Sequence, residues 1–328
     1  MPDALALEFT GLTKDFGRIR AVSDFTARVE PGLVTGFLGP NGAGKTTTLR
    51  MLLGLVRATH GSATVGGRPY AELRHPLRSV GAALEASSFH PGRTGAGHLR
   101  VLAAAARLPR TRVDETLALV GLSDAAGRKV GGYSLGMRQR LGLASALLGD
   151  PGVLVLDEPS NGLDPEGIRW MRRLLQELAR EGRTVLVSSH LLAEVQQTAD
   201  AVLIISRGQR VFQGGLDDLA DPNEYATVVD APDRQSLLDA LGAAGATVEI
   251  IRGGIRVTDR DPAEVGTIAA AAGVALSGLQ RRGPALEEVF LDLVNGTRVY
   301  TPAETPVMTE EDISPDEQVT TEERGELR

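Results

Sequence analysis

Gly39-Pro40-Asn41-Gly42-Ala43-Gly44-Lys45-Thr46 fits the pattern G-x-x-x-x-G-K-[ST], and that octapeptide dictates its own surroundings. A loop that wraps an anion with backbone N–H groups needs glycines, because only they curl the chain without side-chain clashes. It is delivered by a strand and followed by a helix whose N-terminus adds a favourable dipole. The flanks fit: Leu33–Leu38 is an apolar run that reads as a buried strand, and Thr47–Val56 reads as a helix. Asn41, Gly42, Gly44, Lys45, Thr46 and Thr47 are the expected nucleotide-binding positions. Lys45 reaches the outer phosphates as a point charge, and the Thr46 hydroxyl is suited to ligate Mg²⁺.

Such a unit belongs in an α/β core, and the chain reads that way to about Gly214. Leu5–Phe9 and Ala21–Val29 read as strands leading to the loop. Val153–Leu156 and Thr184–Ser189 are continuous apolar runs, as expected of strands buried on both faces. Between them Glu166–Arg180 carries Leu174, Leu175 and Leu178 at helical spacing, which makes a strand–helix–strand unit. Residues from about 88 to 135 hold two helical patterns and little β signal, a helical insertion. Beyond Pro222 short strands and helices restart as a small α+β unit. It ends in a helix from Ala285 to Val294, whose stripe Leu286, Val289, Phe290 and Leu293 reads as core of that unit. From 297 to 328 nine acidic residues stand against three arginines, with three prolines, which reads as a disordered acidic tail.

The chemistry gathers at strand ends. Asp157-Glu158 follows the apolar strand Val153–Leu156, so two carboxylates stand at the carboxyl end of a buried strand beside a phosphate loop. Asp157 is suited to hold Mg²⁺ and Glu158 to polarise an attacking water. His190 ends the strand Thr184–Ser189, where an imidazole can hydrogen-bond a transferring phosphoryl group.

In order, the phosphate loop, Tyr133-Ser134-Leu135-Gly136-Met137, Val153–Glu158, Asn161-Gly162-Leu163-Asp164 and Ser189-His190 resemble the motifs of the ATP-binding-cassette (ABC) ATPases. The resemblance covers about residues 5 to 214. It implies a P-loop ABC ATPase core, a mixed sheet on a RecA-like α/β core, with a helical insertion. On that basis residues 1–219 are the nucleotide-binding domain, 220–296 the small accessory α+β domain and 297–328 the acidic tail. It implies ATP and Mg²⁺ as cofactors, catalysis by Lys45, Glu158 and His190, and Phe16 as the aromatic that stacks on adenine. It further implies a head-to-tail homodimer in which Ser134 and Gly136 of a second copy complete the site and Asp164 contacts that copy. Tyr133–Met137 departs from the family's LSGGQ signature but keeps its serine and second glycine. Glu85 falls where most of the family has a metal-binding glutamine. That glutamate, with Phe89-His90-Pro91 and the L-E-x-V-F-like stretch at the last helix, resembles the antibiotic and lantibiotic exporters.

The implied function is an ATP-hydrolysing subunit that powers an exporter of a drug, antibiotic or lipid-like substrate through membrane permease subunits. Its place would be the cytoplasmic face of the membrane, since no apolar run approaches about 18 residues. The alternatives are a non-transport ABC ATPase and a regulatory ATP-binding subunit. Outside the tail the charge nearly balances, so no nucleic-acid partner is expected. The chain contains no cysteine, which excludes disulfides and thiolate metal sites.

Overall fold

The computed structural model describes residues 4–84, 89–219, 225–283 and 286–298. In chain order it runs β1 (Leu7–Phe16), β2 (Ile19–Val29), β3 (Val34–Leu38), α1 (Lys45–Leu52), β4 (His60–Val65), α2 (Pro76–Ser79) and β5 (Val80–Ala83). Then come α3 (Gly95–Ala105), α4 (Thr111–Leu119), α5 (Leu135–Leu147), β6 (Val153–Asp157), α6 (Pro165–Arg180) and β7 (Thr184–Ser189). The elements α7 (Leu192–Gln196), β8 (Ala201–Ser206) and β9 (Gln209–Gly215) follow.

A six-stranded sheet in the order β5-β6-β7-β3-β8-β9 forms the centre, parallel except for β9. The inner strands β3, β6 and β8 are buried along nearly their whole length, which is why they read as apolar runs. Leu154 and Leu156 of β6 pack with α3, α4, α5 and α6, while Val153 and Val155 point the other way, toward α1, β1 and β2. Helix boundaries follow caps. Thr94 accepts from Gly97 N at 3.0 Å and starts α3. Asp164 caps α6, with Pro165 in the first turn.

The first two strands do not feed the central sheet. They form a hairpin that pairs with β4 in a separate antiparallel sheet, β2-β1-β4. The turn is made by Gly17 at φ 60°, and it extends β1 well past the expected Phe9.

The small unit contains β10 (Ala226–Asp230), α8 (Arg234–Ala243), β11 (Val248–Ile251), β12 (Gly254–Val257), α9 (Pro262–Ala271) and β13 (Gly278–Arg282). Its strand order is β11-β12-β10-β13 with every pair antiparallel, a split β-α-β arrangement. Leu237, Leu241, Val265 and Ala269 of the two helices fill one face against Val229, Ile255 and Val257.

The last helix, α10 (Leu286–Asn295), corrects the sequence reading. Its stripe was expected in the core of the small unit. Instead Val289, Phe290 and Leu293 pack with Leu38, Val202, Ile204 and Phe212 of the central sheet. The reason is competition for surface: α8 and α9 already cover the packed face of the small sheet, whereas β8 and β9 offer apolar side chains. The small sheet is therefore spliced between β9 and α10. Its two ends lie side by side, because Ala226 pairs with Arg282.

Candidate functional site

The parallel strands β6, β7 and β3 are neighbours, with Asp157 opposite Ser188 and Leu38 opposite Ser189. Their carboxyl ends therefore share one edge, where open α/β sheets bind ligands. The glycine loop follows β3 at that edge. Gly44 has φ 111°, and a Cβ there would stand 2.7 Å from Ala21 O, so neither the backbone nor the space admits a side chain. Gly42 has φ 80° and open space where a side chain would project, which leaves room for a bulky anion.

Lys45 is 6% exposed. Its Nζ donates to Gly39 O at 2.6 Å and Pro40 O at 3.4 Å, and lies 3.5 Å from Glu158 Oε1. The buried ammonium is thus compensated by carbonyls and one carboxylate. The Thr46 hydroxyl donates to Asp157 Oδ2 at 2.7 Å, and the Ser188 hydroxyl donates to Asp157 Oδ1.

Glu158 has φ 48°, a left-handed backbone that costs a non-glycine residue about 1–3 kcal/mol. Its surroundings hold it there. Glu158 N donates to Ser188 Oγ at 2.9 Å, and its carbonyl accepts from Asn161 N at 3.2 Å and Gln139 Nε2 at 3.4 Å. Glu158 Oε2 lies 2.9 Å from His190 Nδ1. An ionised carboxylate only accepts, so with Glu158 charged the imidazole proton of this contact belongs on Nδ1. Lys45, Thr46, Asp157, Glu158 and His190 are thereby linked in one group. Hydroxyl and carboxylate oxygens converging at Thr46 and Asp157 are the hard donors that Mg²⁺ takes together with phosphate oxygens. The residues present fit both ATP and that ion.

Other expected residues stand apart. Phe16 is 50% exposed at the tip of the β1–β2 hairpin, with Lys14 Nζ 4.8 Å from its ring centroid, so it is not a core phenylalanine. Asn41 is exposed and Thr47 half-buried. Ser134 caps α5, accepting from Met137 N at 3.2 Å, and is exposed. Among the described residues it makes no hydrogen bond to Lys45, Thr46, Glu158 or His190. Tyr133 anchors this segment from below: it is buried and its hydroxyl donates to Ala125 O at 2.7 Å. Burial raises the pKa of that phenol. Gly136 backs onto the Asn161–Asp164 turn; a Cβ on it would stand 3.2 Å from Gly162 O. Asp164 Oδ1 accepts from Gly167 N at 2.8 Å, so it has a structural task as a helix cap. Glu85 lies outside the described residues. Strand β5, which leads to it, pairs in parallel with β6 and ends at the same edge as Asp157.

Sequence reasoning missed the residues that hold the group in place. Ser188 joins Asp157 to the backbone of Glu158. Glu194 Oε2 accepts from Ser160 Oγ at 2.7 Å and Ser189 Oγ at 3.1 Å, tying the turn after Glu158 to the residue before His190. The available signal was the pair Ser188-Ser189, two hydroxyls closing an otherwise apolar run. Nothing in the sequence singles out Glu194.

Comparison with known proteins agrees with this geometry. Residues 22–161 match the family described as ABC transporter, and residues 226–287, most of the small unit, match a domain of unknown function, DUF8746. The chain is 42% identical to the bacitracin transport ATP-binding protein BcrA of Bacillus licheniformis over 220 residues, 66% of this chain and 72% of that one. It is 34% identical to the bacitracin transport ATP-binding protein BcrA of Enterococcus faecalis over 297 residues, 88% of this chain and 96% of that one. A solved ATP-binding subunit of an ABC transporter superposes with a TM-score of 0.60 at 28% identity, covering 65% of this chain and 91% of the other. With a glycine loop, a paired Asp157-Glu158 and His190 at one sheet edge, the chain belongs to the ATP-binding, ATP-hydrolysing proteins of the ABC transporter family.

Proposed function

We propose that this chain hydrolyses ATP to power a membrane exporter whose cargo is an antibiotic, drug or lipid-like molecule. The observation that carries the hydrolytic half is the contact series Lys45–Glu158–His190, with Thr46 and Asp157 beside it. Lys45 and the loop amides bind the phosphates of ATP. Glu158 takes a proton from the attacking water, and its contact with His190 fixes the imidazole so that Nε2 faces the phosphoryl group. Thr46 and Asp157 would hold Mg²⁺, with Glu85 a third ligand by resemblance; when bound, the ion neutralises charge on the phosphates. Phe16 offers its exposed ring to adenine.

Ser134 and Gly136 complete the site of a second copy, with Asp164 at the contact between copies. The absence of any hydrogen bond from Ser134 to its own chain's Lys45 group, among the described residues, supports this reading. Permease subunits would seat on a groove of about 460 Å³ lined by Leu53, Leu55, Tyr70, Leu84, Phe89 and His98. No helix among the described residues is long and apolar enough to cross a membrane, so attachment at its cytoplasmic face would pass through the permease. The names of the relatives, both bacitracin transport proteins, support an antibiotic cargo.

The test of the site is Glu158→Gln. ATP binding is retained, because Lys45 and the loop are untouched, and turnover falls by about 100-fold or more, the worth of a general base. Phosphate release at the wild-type rate sinks the assignment. Cargo is tested by co-expressing the chain with its permease and measuring bacitracin tolerance, which Glu158→Gln abolishes. A tolerance equal in both strains refutes antibiotic export.

A further inference from the structure

Helix α10 follows the small sheet in sequence, yet it packs on β8 and β9 of the central sheet. Leu293 shares a buried cluster with Ile204 and with Leu38, the residue before Gly39. Ser206, at the end of β8, is 5% exposed and donates its hydroxyl to Val294 O at 2.7 Å. The next two residues, Arg207 at φ 49° and Gly208 at φ 80°, turn the chain into β9. Gly208 N then donates to Ala43 O, inside the phosphate loop, at 2.9 Å, and Gly208 O accepts from Ser23 N at 2.9 Å. On the other side of Ser206, the Ile205 carbonyl lies so close to Gly39 that a Cβ there would collide with it. The loop thus rests on the segment Ile205–Gly208 at both Gly39 and Ala43, and α10 holds that segment from behind.

We propose that α10, acting through Ser206, braces the phosphate loop, so that a helix beyond the small sheet sets the affinity for ATP. Ser206 is a positioning residue in this scheme: it touches no nucleotide, and it fixes the turn that supports the loop carbonyl of Ala43. The loop's Lys45 and the hydrolytic Glu158 stay where they are when the hydroxyl is removed. What changes is how well the empty loop is preorganised, a cost that appears on binding rather than in the chemical step.

The experiment compares the full chain with Ser206→Ala and Ser206→Thr. Ser206→Ala raises the Kd and KM for ATP by about three- to tenfold, the range of one neutral hydrogen bond, and leaves kcat in place. Ser206→Thr keeps a hydroxyl and restores the wild-type Kd. Coupling is reciprocal, so in the wild-type chain a non-hydrolysable ATP analogue slows amide exchange across 289–298 as well as across 39–46. That second measurement requires no variant to fold. An unchanged Kd in folded Ser206→Ala, a fall in kcat at constant Kd, or exchange across 289–298 that ignores the nucleotide overturns the proposal.

Discussion

Replacing Ser188 by alanine removes a hydroxyl that belongs to no motif and yet touches both carboxylate residues of the site. Ser188 is fully buried. Its hydroxyl donates to Asp157 Oδ1 and accepts the Glu158 N–H at 2.9 Å. A hydrogen bond to a charged group is worth about 1.5–3 kcal/mol, and a buried N–H left without a partner costs about 1–3 kcal/mol. The two losses overlap, because some relaxation follows, so Ser188→Ala lowers stability by about 2–4 kcal/mol. The N–H in question belongs to a residue at φ 48°, a conformation that persists only while its neighbours enforce it. Released from Ser188, Glu158 relaxes and its carboxylate leaves the position between Lys45 and His190. A displacement near 1 Å costs about 100-fold in rate. Urea unfolding, ATP binding and steady-state phosphate release on the purified chain separate the terms. Stability and turnover fall while ATP affinity changes little, since Lys45 is bonded to Gly39 and Pro40 and not to Ser188. Turnover within about twofold of wild type, in a chain destabilised by 2–4 kcal/mol as estimated above, would show that Glu158 keeps its place without this support.

Asp164 has two tasks that different substitutions separate. Asp164→Ala loses the cap of α6 and about 1 kcal/mol of stability, whereas Asp164→Asn keeps the cap and loses only the charge. Lower ATPase with wild-type unfolding in Asp164→Asn supports the contact between copies, and unchanged ATPase leaves Asp164 as a cap alone. His98 gives a pH signature. Burial, with a smaller contribution from Arg93, lowers its pKa below 6.5, and its buried Nδ1 has no hydrogen-bond partner among the described residues, with the ring nearly perpendicular to that of Phe89. Below pH 6.5 the unfolded chain therefore binds a proton that the folded chain resists, so this group withdraws stability as pH falls from 6.5 through the lower folded value. His98→Phe flattens that part of the urea-midpoint profile between pH 7.5 and 5, and an equal slope in both chains removes His98 as its source.

The central strands were legible because burial on both faces leaves a mark in composition, an apolar run that stops at Asp157 in one strand and at the hydroxyl pair before His190 in the other. The loop was legible because its geometry admits few residues. The destination of α10 was not. Periodicity reports which side of a helix is apolar, and Val289, Phe290 and Leu293 carry that mark equally well against either sheet. The decision lay in which surface remained uncovered, and that depends on α8, α9, β8 and Phe212 together. The first two strands were read as strands, but their pairing was not legible, because the pattern along Leu7–Val29 specifies a partly covered strand and not its partner.

The same distinction separates the chemical residues from their supports. Asp157, Glu158 and His190 stand next to the strand ends that expose them, so local sequence betrays them. Ser188 acts across a sheet on a residue 31 positions away, and Glu194 bridges Ser160 and Ser189 from a helix of its own. Their meaning exists only after β6 and β7 are in register. Ser188 also connects functions that the motifs list apart: through Asp157 it reaches Thr46 of the phosphate loop, and through the backbone of Glu158 it reaches His190. On the proposed assignment, the residues of binding and of hydrolysis share a mechanical link at the end of β7. A substitution that loosens that strand end disturbs the carboxylates first, whereas one that loosens the β8–β9 turn disturbs the loop first. The two supports lie on opposite sides of β3, and their variants are expected to fail in different kinetic constants.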